Sequence, residues 1–198
     1  MRTLIVAALA SLVAISAAVA GEKTEKEAAV ENKDGVKTEV AIYAGGCFWG
    51  MEHLLRKVPG VVDTDVGYIG GKTKNPTYEQ ICTGLTGHAE AIRVVFDPAK
   101  ISFAELTEKW FFRIHDPTTK NRQGNDIGTQ YRSAIFYTTE EQKTVAEEVK
   151  ARVDKSGKWK KPLVTEITAA TDFFNAEAYH QDYLKKNPNG YNCHYIHD

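Results

Sequence analysis

The sequence predicts an α+β fold in which a mixed sheet packs against helices. Segments with the two-residue alternation of a strand take turns along the chain with segments that have helical apolar spacing. Such alternation is typical of a sheet covered by helices. Beyond its polar N-terminal stretch the chain has about 160 residues, the size of one domain. Because 10% of the whole chain is aromatic, an ordinary core can form.

The first half of this domain reads as strand, helix, strand, short helix and strand. Apolar residues alternate at 38–44, 61–69 and 88–97, which predicts three strands. Helical spacing predicts a helix at 51–58, and 76–83 is a short helical candidate.

The second half continues the alternation and ends in an irregular tail. Helices are predicted at 102–114, 139–154 and 173–184, and strands at 130–137 and 164–169. Ser102 and Glu105 match a capping box at the start of the first of these helices. The turn sequence NPNG then begins a tail at about 187–198.

The chain begins with a stretch that resembles a secretory signal peptide. Arg2 precedes an apolar run at 4–19, and small residues at 18–20 form a cleavage site after Ala20. An uncleaved membrane anchor is the competing interpretation, although the run is short for a span. The signal at 1–20 predicts a periplasmic or secreted protein.

A polar linker is predicted at 21–37, followed by one catalytic domain at 38–198. The linker is rich in Glu and Lys and cannot bury enough apolar surface to offset the entropy of ordering. The whole chain has a net charge of −1. This near balance gives no electrostatic reason to expect nucleic-acid binding.

The most informative stretch is GCFWG at 46–50, which places one thiol between a strand-like and a helix-like run. Free amides and the positive dipole end of a helix favour a thiolate, so Cys47 is a candidate nucleophile. The glycines remove bulk around the sulfur, and Phe48 and Trp49 offer an aromatic surface to a small apolar group. The competing interpretation is a glycine-rich turn with a buried, inert cysteine.

Glu90 is the second candidate, because strand parity places it on an apolar face. It shares that face with Ile92, Val94 and Phe96. Burial would raise the pKa of the carboxyl group and keep it protonated near neutral pH, ready to donate a proton. Alternatively, Glu90 is an ordinary strand-end residue that reaches solvent.

Two tyrosines and an aspartate are weaker candidates. Strand parity directs Tyr68 and Tyr131 toward the core, where a hydroxyl can donate to a substrate or, more commonly, to a backbone carbonyl. Asp126 lies in a loop rich in Gly and Asn, where turn formation is the usual role, although functional residues concentrate on long loops.

The cysteines and histidines leave several interpretations open. An odd count of three cysteines in an oxidising compartment leaves a free thiol or an intermolecular bond. A bridge between Cys47 and Cys193 would be either a structural staple or one stage of a redox cycle. His194 and His197 flank Cys193, but this makes only a weak zinc signal, so no metal site is predicted. No phosphate or dinucleotide fingerprint is present in the sequence.

The ordered motifs resemble those of peptide methionine sulfoxide reductases of the A type. They are GCFWG at 46–50, GYIGG at 67–71, NPTY at 75–78, GHAE at 87–90 and the run at 115–133. The resemblance spans the domain from about residue 38 to the C-terminus, and this many motifs in order are highly specific. With the alternating elements, it implies a ferredoxin-like, two-layer core.

The resemblance implies a role for each residue of the central candidate set. Cys47 would attack the sulfoxide sulfur, and Phe48 and Trp49 would hold the methyl group of the substrate. Glu90 would protonate the sulfoxide oxygen.

Further roles follow from the same resemblance. The hydroxyls of Tyr68 and Tyr131 would hold the sulfoxide oxygen, and Asp126 would support the site. Cys193 would be the resolving thiol, although Asn192 interrupts the Gly-Tyr-Cys motif of many relatives, while Cys82 is expected to have no redox role.

The implied activity is repair of oxidised proteins. The enzyme would reduce the S epimer of methionine sulfoxide, in proteins or free, and leave a sulfenic acid on the nucleophile. A disulfide with the resolving thiol would then be reduced by a thioredoxin-like donor, so no prosthetic cofactor is needed. A monomer is expected, and the signal peptide suggests a dedicated donor outside the cytoplasm.

Two other functions compete with this one. A cysteine hydrolase or transamidase would need a histidine base within hydrogen-bond reach of Cys47. A non-catalytic secreted domain would hold Cys47 and Cys193 in a permanent bridge.

Overall fold

The computed structural model describes Ala29–Glu31 and residues 37–198. The predicted signal peptide at 1–20 lies outside these residues, as does most of the predicted linker. Within the linker, however, Ala29–Glu31 form strand β1, which pairs antiparallel with the first residues of the next strand. Backbone hydrogen bonds fix this part of the segment without needing a large apolar side chain, which is why composition alone missed it.

The chain alternates between strands and helices, as predicted. The elements up to residue 114 are β2 (Lys37–Gly45), α1 (Phe48–Leu55), β3 (Val61–Ile69), α2 (Tyr78–Cys82), β4 (Ala89–Phe96), α3 (Phe103–Leu106), a π-helical turn (Thr107–Phe111) and α4 (Phe112–Ile114). Those that follow are β5 (Arg122–Gln123), β6 (Asp126–Ile127), a 3-10 turn (Thr129–Tyr131), β7 (Ser133–Tyr137), α5 (Glu140–Lys155), β8 (Glu166–Ala169), β9 (Phe174–Asn175) and α6 (Tyr183–Lys186).

One large sheet organises the fold. Its strands lie in the order β8-β7-β2-β4-β3-β9, with β1 paired to β2. The β7–β8 pair is parallel and the other pairs are antiparallel, so the sheet is mixed. The predicted α+β class is confirmed. The register places Glu90 on β4 opposite Tyr68 on β3.

The two faces of the sheet are covered differently. On one face, Tyr43 and Phe96 pack against helix residues such as Met51, Leu55 and Phe111 in the larger apolar cluster. The other face carries a smaller cluster that the segment near residues 170–173 covers. Helices therefore pack on one face, and the active-site motif at 46–50 lies where β2 leaves the sheet for α1.

The strand predicted at 130–137 begins only at Ser133. Gly128 has a φ of +150°, a conformation that favours glycine, and its carbonyl accepts the Tyr131 amide at 3.0 Å. A 3-10 turn therefore replaces the first residues of the predicted strand. The parity argument for Tyr131 was wrong, since this residue is not in a strand.

The helix predicted at 173–184 is also wrong. Phe174–Asn175 instead pair with β3 and extend the sheet edge. The Gln181 side chain then bonds both the amide and the carbonyl of Val66, at 2.9 and 2.8 Å, and Asp182 adopts a left-handed φ of +57°. These bonds to β3 outweigh the local helical pattern, and only Tyr183–Lys186 are helical.

Candidate active site

Cys47 lies at the sharp turn between β2 and α1. It is the N-cap residue of α1, and Gly46 before it has a φ of +103°. A Cβ at Gly46 would lie only 2.5 Å from the Gln123 side chain, so glycine is needed here for both conformation and space. The Cys47 side chain is 7% exposed.

Burial keeps the thiol of Cys47 in its neutral form. Its pKa is raised well above the ordinary value, mainly by burial and then by the negative charge of Glu90, while the Trp49 amide acts in the opposite direction. The expectation of a resting thiolate was therefore wrong, because burial outweighs the amides and dipole of a helix of eight residues. The contribution of Glu90 applies only where that carboxyl group is ionised, above a pH of about 8.

Glu90 is a buried carboxylic acid directly beside the nucleophile. It is 2% exposed, and its Oε2 atom accepts the Phe48 amide at 3.2 Å, one residue after Cys47. Burial raises the pKa of Glu90 to about 8, with a smaller contribution from the charge of Asp126 and an opposing one from the Phe48 amide. The solvent-exposed alternative for Glu90 is wrong, and the carboxyl group keeps its proton at neutral pH.

Phe48 and Trp49 form the aromatic wall of the site. The Phe48 ring is buried and lies 5.9 Å from the ring of Tyr68 between centroids. Trp49 stacks on Tyr183 at 3.8 Å, and its indole nitrogen donates to His180 Nδ1 at 3.0 Å. Both rings are held in place from behind, so they present fixed apolar surfaces.

Sequence reasoning missed the importance of His180, which lies within the segment 173–184 that was predicted to be a helix. The residue is 1% exposed, and its ring lies within 5.6 Å of the rings of Phe48, Trp49 and Tyr78. Because His180 accepts the Trp49 hydrogen at Nδ1, a neutral imidazole is required, and burial lowers its pKa accordingly.

The structure brings Tyr131 to the site but not the hydroxyl of Tyr68. Tyr131 is partly buried. Burial is the largest cause of its raised pKa, and the charges of Glu90, Asp126 and Cys47 are the next largest, so the Tyr131 hydroxyl lies near these groups. Tyr68 is fully buried instead, and its hydroxyl donates to Glu177 Oε2 at 2.8 Å. Its side chain supports the apolar wall.

Tyr78 is the tyrosine that sequence reasoning overlooked. It begins α2 and is only partly buried. The pKa of Tyr78 is raised first by burial, then by a hydrogen bond to Cys82 and then by the charge of Glu90, which shows that its hydroxyl lies near that carboxyl group. A thiol is a weak acceptor, so this hydroxyl is available to a better one. Tyr78 ends the NPTY motif, which was the sequence signal for it.

The C-terminal tail brings Cys193 and Asp126 together beside the nucleophile. Asp126 accepts the Tyr191 hydroxyl at 3.0 Å and the Cys193 thiol at 3.3 Å. Burial and Asp126 raise the pKa of Cys193 to about 12, whereas a hydrogen bond from the Cys47 amide acts to lower it. Both cysteines are free thiols, and the Cys193 sulfur lies at the backbone of Cys47.

The glycines of the motif also make room for the tail. A Cβ at Gly50 would lie 2.5 Å from His194 Nδ1 and 2.6 Å from Asn192 Oδ1. Asn192, which interrupts the expected tail motif, caps a local turn by accepting the His194 amide at 3.0 Å. The tail therefore accommodates this residue within its docked conformation.

Cys82 and the remaining predicted features lie outside this arrangement. Cys82 is exposed and contacts Tyr78 at the rim. Over residues 29–31 and 37–198, no group of three or more histidine, cysteine or acidic side chains could hold a metal ion. The same part of the chain contains no helix long and apolar enough to cross a membrane.

A sequence model of the family described as "Peptide methionine sulfoxide reductase" matches residues 39–198. The chain belongs to this family. It is 58% identical over 159 residues to "Peptide methionine sulfoxide reductase MsrA 1" of Mesorhizobium japonicum, covering 80% of this chain and 90% of the relative. It is likewise 58% identical over 158 residues to an MsrA of Nocardia farcinica, with coverage of 80% and 90%.

Solved structures agree with this assignment. Reduced Mxr1 from Saccharomyces cerevisiae has a TM-score of 0.78 and 38% identity, covering 86% of this chain and 97% of that one. Mxr1 has also been solved in complex with Trx2, and that chain has a TM-score of 0.57 and 27% identity, with coverage of 85% and 95%. The protein is thus a peptide methionine sulfoxide reductase of the A type, a thiol-dependent oxidoreductase.

Proposed function

We propose that this reductase repairs proteins by reducing the S epimer of methionine sulfoxide, and that it also accepts free methionine sulfoxide. The observation that carries the proposal is the placement of a protonated, buried Glu90 at the backbone of the residue next to Cys47. The Phe48 and Trp49 rings would receive the methyl group, because they form fixed apolar surfaces beside the thiol.

In the first step, oxygen passes from the substrate sulfur to Cys47. The thiol sulfur attacks the sulfoxide sulfur while Glu90 gives its proton to the oxygen, and the thiol proton returns to Glu90. The protonated oxygen then moves to the Cys47 sulfur, so that a Cys47 S–O bond forms as the bonds from the substrate sulfur to the oxygen and to Cys47 break. The substrate sulfur is reduced to a thioether, and Cys47 is oxidised to a sulfenic acid. The hydroxyls of Tyr78 and Tyr131 would stabilise the oxygen as negative charge develops on it.

In the second step, Cys193 resolves the sulfenic acid. Its sulfur attacks Cys47, a disulfide forms, and the oxygen leaves as water. The supporting observation is that the Cys47 amide hydrogen-bonds to Cys193 while both thiols are free. Asp126 holds the tail in this position through its bonds to Tyr191 and Cys193.

A thioredoxin-like protein would then reduce the disulfide by thiol exchange. The yeast relative was solved in complex with Trx2, which supports a donor of this class. We propose that the enzyme acts as a monomer. The signal-like residues 1–20 support a periplasmic or secreted location, and hence a dedicated donor there.

We also infer that the core is ferredoxin-like. In support, the four central strands lie side by side in the order β7-β2-β4-β3. Numbered by their order along the chain, these are the fourth, first, third and second of the four. One helix joins the first pair of strands and a helical segment joins the last pair.

The rival hydrolase has less support. In the part of the chain that the structure describes, no histidine ring hydrogen-bonds to the Cys47 thiol; the nearest such contact is His194 to Cys193. A hydrolase would need that base at the nucleophile.

The direct test is the formation of methionine residues in peptides that contain the pure S or R sulfoxide. Wild type should reduce only the S epimer, and Cys47→Ser should reduce neither. Equal use of both epimers, or reduction by Cys47→Ser, would contradict the proposed function.

A further inference from the structure

The tail contains a buried histidine that the chemistry described so far leaves without a role. His194 is 4% exposed and lies on the turn that carries Cys47. Its Nε2 atom is 2.8 Å from the Gly45 carbonyl oxygen, and its Nδ1 atom is 3.3 Å from the Cys193 sulfur. The imidazole therefore bridges the nucleophile's backbone and the resolving thiol.

The tautomer of His194 follows from these two contacts. A carbonyl oxygen only accepts, so Nε2 carries the hydrogen. Burial lowers the pKa of His194 to about 4, so the ring is neutral at physiological pH and Nδ1 presents a lone pair to the thiol. Among the titratable groups around it, the charge of Asp126 favours protonation of the ring and His197 disfavours it, while a charge on His194 would in turn lower the pKa of the buried His115.

The Cys193 thiol has a second acceptor, which must be weighed against His194. Asp126 Oδ2 also lies 3.3 Å from the sulfur. Transfer of the proton to Asp126 would leave a half-buried thiolate with no cation beside it. Transfer to His194 would instead create an imidazolium next to both the thiolate and the Asp126 carboxylate, and opposite charges stabilise each other where water is partly excluded.

We infer that His194 is the general base of the resolving step. It accepts the Cys193 proton at Nδ1 as the Cys193 sulfur attacks the sulfenic sulfur of Cys47. The S–S bond forms and the S–O bond breaks, and the oxygen leaves as water with its own proton and the one that the imidazolium returns. The Cys193 sulfur is oxidised and the sulfenic sulfur is reduced, so no other reactant is needed. The inference rests on the proposed function.

A single-turnover experiment separates the two steps. The full chain, fully reduced, is mixed with excess S-sulfoxide peptide and no reductant, and both methionine and the Cys47–Cys193 disulfide are followed with time. His194→Gln keeps a donor that can reach the Gly45 carbonyl but lacks the base. His197→Gln, in the same tail, is the matched control. Cys193→Ser shows methionine formation in the peptide when the sulfenic acid cannot be resolved to the Cys47–Cys193 disulfide.

We expect His194→Gln to form methionine in the peptide at the wild-type rate and to form the disulfide about 10²-fold more slowly at pH 6.5, the effect of a lost general base. In this variant the rate of disulfide formation should rise about tenfold per pH unit, because the thiolate then forms unaided. In wild type and in His197→Gln the rate of disulfide formation should stay nearly constant between pH 6 and 8.

Three results would overturn the inference. Disulfide formation in His194→Gln could match wild type, or it could be slowed by the same factor at every pH, which would indicate that His194 only docks the tail. Alternatively, Asp126→Asn could show the pH-dependent loss in place of His194→Gln. Absence of a methionine burst from wild type would instead contradict the proposed function.

Discussion

Tyr68 and Tyr78 belong to the same apolar cluster, but the Tyr68 hydroxyl is held by Glu177, whereas the Tyr78 hydroxyl is bonded only to the weak acceptor Cys82 and can be given to a substrate oxygen. We expect Tyr78→Phe to lower single-turnover methionine formation by about 10²-fold, because it removes a donor to the developing oxyanion. Tyr68→Phe is the matched control. It should lower the free energy of unfolding by about 1 kcal/mol through loss of the Glu177 bond and leave the rate unchanged. The opposite ranking of the two rates would contradict this assignment.

The residues that sequence reasoning placed correctly depend on local periodicity. Strand parity alone turns Glu90 into the core, and the GCFWG motif alone places Cys47 at a helix start. Tyr78 and His180 could not be placed in this way, because distant contacts position them. Glu177 accepts the Tyr78 amide at 2.9 Å across 99 residues of chain, and His180 reaches Trp49 across 131.

The same limit applies to the protonation state of Cys47. A helix start predicts a thiolate, but the pKa depends on how much of the molecule covers the sulfur. Tail docking and burial are tertiary features, so the sequence could predict a nucleophile at Cys47 but not the resting charge of its thiol.

At the level of elements, the first turn of α1 and the C-terminal tail form one unit. Gly50→Ala should preserve α1, since alanine favours helices by roughly 0.5–1 kcal/mol. Its methyl group would collide with His194 and Asn192 and undock the tail. The rate of methionine formation in a single turnover should therefore be kept, while the rate of disulfide formation between Cys47 and Cys193 falls. Rapid disulfide formation in this variant, measured by thiol loss, would show that docking at Gly50 is dispensable.

Elements near the chain's C-terminus were the least predictable. The pattern at 173–184 favours a helix, but the exposed edge of β3 takes Phe174–Asn175 as a partner strand. Glu52 reinforces this path by accepting the Asp182 amide at 2.9 Å. A segment that closes a sheet edge is shaped by that edge more than by its own helical spacing.

For the whole molecule, buried ionisable groups predict a stability that is nearly constant from about pH 4.5 to 6.5 and falls above pH 6.5. Burial lowers the pKa of His115 to about 3 and that of His194 to about 4, so the unfolded chain binds more protons on these histidines up to about pH 6.5. Burial raises the pKa of Glu52 from 4.5 to about 7 and that of Glu90 from 4.5 to about 8, so the folded protein binds more protons on these carboxyl groups from about pH 4.5 upward. The two effects offset each other up to pH 6.5, and the carboxyl groups alone lower the stability above it.

Urea unfolding of the reduced protein from pH 5 to pH 8.5 measures this profile. The decline above pH 6.5 should become shallower in both Glu90→Gln and Glu52→Gln. A wild-type free energy of unfolding that keeps rising to pH 8.5 would contradict the assigned directions.

In the proposed mechanism, the Glu90 proton goes to the sulfoxide oxygen as Cys47 attacks. The most direct measurement is the single-turnover rate of methionine formation against pH in wild type, Glu90→Gln and the buried control Glu52→Gln. In wild type and the control, the plot of rate against pH should rise and then bend to a plateau near pH 8, because the growing thiolate fraction of Cys47 is there offset by loss of the Glu90 proton. Glu90→Gln should be about 10²-fold slower at pH 7 and lack the bend. Wild-type rates in Glu90→Gln, or a bend that persists there, would contradict the account.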